Sequence, residues 1–136
     1  MSLDGDVEVG KQLRQNWFQS VQELSDLELQ RRTWLNTSNT NPHWSYIEFV
    51  ECYPLPDQLE DALDQGWLSR REFEVLTELG RLVGLHAAPS GDDFNNAAVL
   101  DDPAWHRVAA AAARAKQLLL PLIRDKHELD ALTGSA

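Results

Sequence analysis

Helix-start signals recur along this 136-residue chain, and they constrain its fold more than any other feature. Ser69 with Glu72 has the form of a capping box, in which each side chain bonds the backbone N–H of the other residue. In Asn41-Pro42 and Asp102-Pro103 a capping residue is followed by proline, whose missing N–H is not needed at the first helical position. No stretch of the sequence makes a convincing strand. The sequence therefore predicts an all-α fold.

Apolar residues at three- and four-residue steps locate the helices between these signals. The first helical pattern runs from about residue 9 to residue 35, a long span for a domain of this size. Ser25 with Glu28 has the form of another capping box, where we expect this pattern to divide into two helices. Further helices are predicted at about 41–53, 57–65 and 69–85 and from 103 onward, the last with a kink at Pro121.

The segment from 41 to 53 holds four of the chain's eleven aromatic residues and its only cysteine. A strand is one interpretation, since aromatic and β-branched residues favour strands. A helix fits better, because strand alternation would place the neighbours in Tyr46-Ile47 and in Phe49-Val50 on opposite faces, and no second strand is available for pairing. In the helix, Trp44 shares with Ile47 and Val50 the side that we expect to face the core.

The remaining patterns complete a single domain over residues 1–136, a length that suits one hydrophobic core. Residues 86–101 are polar enough to predict a loop, anchored in the core by Phe94 and Val99-Leu100. Both chain ends, residues 1–8 and 132–136, are expected to be frayed. Together these elements predict a bundle of five or six helices without a β-sheet.

The net charge of −10, from 22 acidic and 12 basic side chains, argues against several classes of partner. Nucleic acids and anionic membranes are bound by clustered Lys and Arg, and this chain pairs them only in Arg31-Arg32 and Arg70-Arg71. It has neither the long apolar run of a membrane span nor a signal peptide's apolar core. We therefore expect a cytoplasmic protein that binds neither nucleic acid nor membrane. The charge suits a basic protein partner, and equally a protein that it merely keeps soluble.

The segment from Asp61 to Glu72 matches a calcium-binding EF-hand loop in outline, with Gly66 at its sixth position. Its third position is Leu63, which has no oxygen to coordinate a cation, and its fifth is the neutral Gln65. The histidines are not spaced as helical metal ligands, and no nucleophile, Walker or dinucleotide motif occurs. We therefore predict no metal and no cofactor, and we assign no catalytic residue.

Four carboxylates, which we call the acidic ridge, recur at helical spacing after the aromatic segment. They are Asp57, Glu60, Asp61 and Asp64. Like charges at this spacing destabilise a helix by about 0.2–0.5 kcal/mol per pair, and the N-terminal dipole offsets this only for the first two. An acidic docking face requires such a ridge, and an ordinary solvated helix face also presents one.

One hypothesis of function is a small acidic interaction module, for example an inhibitor or immunity-type binder of a basic protein. The immunity type is an analogy of size and charge, since no motif carries it. Tyr and Trp are typical of binding hot spots, so the predicted contacts combine the aromatic segment with the acidic ridge. These residues are His43, Trp44, Tyr46, Glu48, Glu51, Tyr53, Asp57, Glu60, Asp61 and Asp64.

The alternative hypothesis is a small helical enzyme or ligand-binding bundle with a pocket between its helices. Its lining would be Trp17, Trp34, Tyr46 and Trp105, with His43 or His106 as the polar group. Solvent exposure separates the two hypotheses. Exposed aromatics beside the acidic ridge would favour the binder, and an enclosed cavity with a histidine and carboxylates would favour the enzyme. Burial of the aromatics without a cavity would weaken both.

Overall fold

The computed structural model of the chain describes residues 3–35, 46, 53, 56–92 and 95–134. Seven α-helices and two short 3-10 helices hold most of these residues, and none of the residues so described lies in a strand. The α-helices are α1 (Leu3–Ser25), α2 (Leu27–Trp34), α3 (Pro56–Asp64), α4 (Arg70–Leu85), α5 (Asn96–Asp101), α6 (Pro103–Leu119) and α7 (Lys126–Thr133). The 3-10 helices are Pro89–Gly91 and Leu120–Leu122. The predicted all-α fold is confirmed, with seven helices in place of five or six.

The long first pattern divides into α1 and α2 where the sequence predicts a break, but Asp26 caps α2 in place of Ser25. An Asp26 carboxylate oxygen accepts a hydrogen bond from the Leu29 N–H at 3.0 Å. Ser25 instead donates its hydroxyl to the Gln22 carbonyl at 2.6 Å, back within α1. Serine and aspartate are both good capping residues, so the pattern located the break to within one residue without choosing between them.

The predicted turn between α3 and α4 is confirmed. The backbone of Gly66 has φ of +79°, a left-handed conformation that glycine adopts without strain. The capping box is complete: the Ser69 hydroxyl accepts from the Glu72 N–H at 3.2 Å, and Glu72 accepts from the Ser69 N–H at 2.8 Å. α3 begins at Pro56, one residue before the predicted start at about residue 57.

α5 lies inside the stretch that was predicted to be a loop. The Asn95 side chain accepts from the Ala98 N–H at 3.1 Å and starts a helix of six residues. Its Val99 and Leu100 are fully buried, as expected of core anchors. Phe94, the other predicted anchor, lies outside the described residues. The loop prediction was wrong for this part because a helix this short shows too little apolar spacing to be seen in the sequence.

Pro121 does not kink a continuing helix, so that prediction was wrong as well. α6 ends at Leu119, the proline lies in the 3-10 helix, and Ile123 is extended. Asp125 then starts α7 by accepting hydrogen bonds from the N–H groups of His127 at 2.8 Å and Glu128 at 3.1 Å. Because α7 begins at its own cap, Asp125, four residues after the proline, this helix needs no capping residue directly before Pro121.

The core forms where α1 packs against α6 and α7 and where α4 packs against α3 and α6. Alanines on the buried side of α6, such as Ala111 and Ala112, are small enough for its neighbours to approach closely. The largest fully buried side chains are Trp105, Tyr46, Phe18, Leu24, Leu59, Leu76, Leu100, Leu119 and Leu132. The core therefore draws side chains from almost every described helix.

The described helices extend close to both chain ends. α1 begins at Leu3, and α7 runs to Thr133 with Leu132 fully buried. Residues 3–8 and 132–133 thus belong to these helices, and the expectation of frayed ends stays a prediction. No helix of the described part of the chain combines the length and the apolar character that crossing a membrane requires.

Candidate functional site

α3 presents the acidic ridge to solvent, as helical spacing predicts. All four of its carboxylate residues are exposed. The opposite face of α3 holds Leu59 and Ala62, each 1% exposed, which belong to the core. Within the part of the chain that the structure describes, none of the four carboxylates forms an ion pair. The ridge is therefore a strip of negative charge along two helical turns that no cation of the described residues compensates.

The two tyrosines of the predicted contact set lie in the core, which corrects the expectation that they face a partner. Tyr46 is 2% exposed and Tyr53 is 6% exposed. The Tyr53 hydroxyl donates to the Leu76 carbonyl at 3.0 Å, and burial raises the pKa of this phenol. A tyrosine can bury its ring when its hydroxyl finds a partner, and both residues do so. Neither side chain offers a surface to a binding partner.

Tyr46 belongs to a buried aromatic cluster that forms around Trp105. The Tyr46 and His86 rings meet the Trp105 ring edge to face, with centroids 5.2 and 5.1 Å away, and the Trp34 ring lies 6.0 Å from it. The Trp105 indole N–H donates to the side-chain oxygen of Gln30 at 2.9 Å. This buried indole therefore has the hydrogen-bond partner that such a group requires.

His86 links Tyr46 to the start of α6 through both of its ring nitrogens. Its Nε2 lies 2.9 Å from Asp102 Oδ2, and its Nδ1 lies 2.9 Å from the Tyr46 hydroxyl. A carboxylate can only accept, so Nε2 donates to Asp102 and, in the neutral ring, Nδ1 accepts from the hydroxyl. The pKa of Asp102 is lowered, first by the hydrogen bond from the Ala104 N–H at the helix start and then by His86.

This cluster contains three of the four aromatic residues that the alternative hypothesis placed around a pocket. Its polar group is a different histidine from the two that were predicted. Trp34, Tyr46 and Trp105 do come together, whereas Trp17 is buried without a ring contact to them. The histidine is His86, and His106 bonds the Leu100 carbonyl instead. His86 was missed because its partners lie 40 residues before it and 16 after it, so no local spacing marks them.

A second polar centre, the Arg14 network, joins α1, α4 and α7. Arg14 forms a two-bond contact with Glu72, at 2.8 and 2.7 Å, and contacts Glu128 through Nε and Nη2 at 2.8–3.1 Å. Its Nη1 also donates to the Trp67 carbonyl at 2.7 Å. These contacts use all five N–H groups of the guanidinium, so Arg14 has no donor left for a ligand.

Arg14 and Glu72 of the network are held in their charged states. Its three side chains are 16%, 4% and 8% exposed in the order Arg14, Glu72 and Glu128. Burial alone would raise the pKa of Glu72, but hydrogen bonds from Arg14 and from the Ser69 N–H outweigh it and lower the pKa. Burial likewise opposes the charge of Arg14, and its two carboxylate partners raise the pKa above the ordinary value. The network is a structural brace that cross-links three helices.

The outline of a calcium loop at 61–72 is accounted for by helix termini. Gly66 ends α3, and Glu72, at the last position of the loop, bonds Arg14 and the Ser69 N–H. In the described ranges no group of three or more His, Cys, Asp or Glu side chains could hold a metal ion.

Four predicted contact residues, and most of the helix predicted at 41–53, lie outside the described residues. The four contact residues are His43, Trp44, Glu48 and Glu51.

Comparisons with protein-family models, with curated proteins and with solved structures find no match to this chain.

Proposed function

We propose that this chain is a small acidic binding module that docks a basic protein through α3. The observation that carries the proposal is the acidic ridge, whose four exposed carboxylates have no described cation within reach. Like charges at these spacings destabilise the isolated helix, and a basic partner would turn this repulsion into attraction. The chain's net charge of −10 would also steer such a partner towards it.

The neighbouring charges of α4 support the assignment by contrast. Glu78 accepts from Arg81 at 2.7 Å, and Glu74 lies 3.8 Å from Arg71, so these carboxylates are compensated within their own helix. A helix face whose charges are already compensated gains little electrostatic energy from binding a charged partner. α3 is acidic at every position of its exposed ridge and is the surface that we assign to docking.

Two variants of equal charge test the proposal. In the ridge variant, Asp57→Asn, Glu60→Gln, Asp61→Asn and Asp64→Asn remove four charges from α3. In the scattered variant, Glu8→Gln, Glu28→Gln, Glu74→Gln and Asp101→Asn remove four charges from exposed residues of four other helices. Both variants have the same net charge, and they differ in the helices from which the charge is lost.

A pull-down from the native lysate at low and high salt supplies the partner, and titration calorimetry with the purified partner compares the variants. We expect a basic protein that the wild type and the scattered variant bind and that the ridge variant binds at least about tenfold more weakly. Equal weakening in both variants would mean that net charge alone attracts the partner, which contradicts docking through α3. Recovery of no basic protein at either salt would also count against the proposal.

The alternative enzyme hypothesis has one specific observation, the hydrogen-bonded series Tyr46–His86–Asp102. A histidine that is oriented by a carboxylate and bonded to a hydroxyl has the connectivity of an activated nucleophile. Here, however, the His86 side chain is 1% exposed and the Tyr46 residue 2%, so the hydroxyl faces the core. The geometry supports a structural role for this series, and the binding module is the function that we put forward.

A further inference from the structure

A polar cleft lies between α1, α2 and α7, away from the acidic ridge. It has a volume of about 570 Å³. Its floor is a stripe of amide side chains on one face of α1, and we call it the amide cleft. The stripe consists of Gln12, Gln15, Asn16, Gln19 and Gln22. From Gln12 to Glu23, which also lines the cleft, α1 rises by about 17 Å at 1.5 Å per residue, so the cleft is elongated.

Carboxylates dominate the charge of the amide cleft. Glu23, Asp26 and Asp130 line it, against the single guanidinium of Arg32 and the ring of His127. Glu23 is half-buried, and no group of the described chain donates a hydrogen bond to its carboxylate. Burial raises the pKa of Glu23, which reflects the unfavourable position of this charge. A cationic donor placed in the cleft would relieve it.

The lining excludes several other ligand classes. Three carboxylates repel anions such as phosphate esters, and no Trp, Tyr or Phe ring lines the cleft to stack on a sugar or a nucleobase. Apolar contacts come from Leu29 and Ala131, which suit the methylene stem of an aliphatic chain. The ligand that fits these features is a flexible chain with positively charged hydrogen-bond donors.

The chain's own Lys116 illustrates how such a group is recognised. Its ammonium donates to the side-chain oxygen of Gln22 at 2.6 Å, from α6 onto the amide stripe of α1. The Gln15 and Gln19 side chains, on the same face, have no hydrogen-bond partner in the described chain and keep their amide oxygens available. We propose that the amide cleft binds an aliphatic primary ammonium, as found in a linear polyamine or in the lysine side chain of a peptide.

Titration calorimetry with two probes tests this assignment and separates the two sources. Spermidine represents the free polyamine, and an acetylated, amidated lysine tripeptide represents the peptide. Saturable binding of either probe supports the site and identifies its source. Binding of neither overturns the proposal. Hexane-1,6-diol has an uncharged chain of similar reach, and binding of this diol as strong as that of spermidine would overturn the assignment of an ammonium.

Matched variants locate the binding. Glu23→Gln and Asp130→Asn each remove one carboxylate from the cleft with little change in side-chain volume. Each should lower the affinity for the probe by about tenfold. Glu78→Gln removes the same charge from α4, which lines neither the cleft nor the acidic ridge, and should leave the affinity within about twofold. Equal weakening by all three variants would show attraction to net charge alone and would overturn the site. Circular dichroism of each variant confirms its fold, and two independent cleft variants guard against the loss of one.

This proposal stands apart from docking through α3. The ridge variant tests α3 and leaves the cleft intact, while the cleft variants leave the ridge intact. Either proposal can therefore fail without the other.

Discussion

The carboxylates of the Arg14 network and those of the acidic ridge have opposite environments. In the network, Glu72 and Glu128 are buried on either side of one arginine, and all five guanidinium N–H groups have acceptors. On the ridge, four carboxylates are exposed with no described cation. A buried charge is tolerated only with partners, whereas water solvates an exposed charge at little cost. Negative charge therefore serves the fold in the network and stays exposed on the ridge, where we propose that it meets a basic partner.

The strongest test of this contrast is Arg14→Leu. It leaves two buried carboxylates without their cation, and we expect the free energy of unfolding to fall by about 3–5 kcal/mol. Urea denaturation measures the change. Changing Glu72 and Glu128 to leucine in the same chain should recover much of the loss, because an apolar cluster needs no partner charge. A loss below about 1 kcal/mol for the single variant would mean that the network does not brace the fold.

Gly10→Ala tests whether α1 must lie close to Trp67 for the network to form. A Cβ at Gly10 would lie 2.6 Å from the Trp67 ring, and the carbonyl of Trp67 is an acceptor for Arg14. The ring would have to move, and we expect a loss of stability of about 1–3 kcal/mol in thermal unfolding. Gly84→Ala is the matched control in α4, where a Cβ meets nothing within 4 Å. It should stabilise by about 0.5–1 kcal/mol, and a loss there equal to that of Gly10→Ala would remove the steric explanation.

The network should also make stability depend on pH in the acid range. The pKa of Glu72 is lowered from 4.5 in the folded chain, so its contribution is complete above that value. It is lost as the pH falls through the lower, folded pKa. We therefore expect the urea midpoint to decrease below about pH 4.5 and to decrease less steeply in Glu72→Gln. Asp61→Asn, on the ridge, should keep the wild-type slope, and an equal change in both variants would contradict a special role for Glu72.

The smallest effect on stability is expected from the ridge itself. Asp61→Asn removes one charge that repels its neighbours on α3, and we expect the chain to gain about 0.2–0.5 kcal/mol per relieved pair. The gain should shrink as salt is added, since screening weakens repulsion between exposed charges. Thermal unfolding at two salt concentrations measures it. A clear loss of stability at low salt would show that Asp61 has a structural partner after all.

The success of the sequence-based predictions depends on how local each signal is. The capping box at Ser69 and Glu72 and the proline start of α6 involve residues within a few positions, and both are confirmed. α5 was missed because it is short, so its apolar residues are too few to show a period. α7 was predicted only as the continuation of the last helix beyond a kink at Pro121, whereas it is a separate helix capped by Asp125. Tertiary packing, shown by the complete burial of Leu132, stabilises α7.

The candidate site divides in the same way. Exposure of the acidic ridge follows from helical spacing, because one face of α3 must bury Leu59 and Ala62. Burial of Tyr46 and Tyr53 could not be predicted, since an amphipathic ring suits an interface and a core equally well. Their hydroxyl partners, His86 and the Leu76 carbonyl, lie 40 and 23 residues away in sequence.

The sequence by itself determined the all-α class, the places where most helices begin, and the line of four carboxylates along α3. Each of these depends on local hydrogen bonds or on the helical repeat, which neighbouring residues specify. The tertiary structure alone decided which charges are paired. Arg14 meets Glu72 and Glu128 across 58 and 114 residues, and the amide cleft exists only where α2 and α7 flank α1. Contacts between helices depend on the packing of the whole core, and no local spacing encodes them.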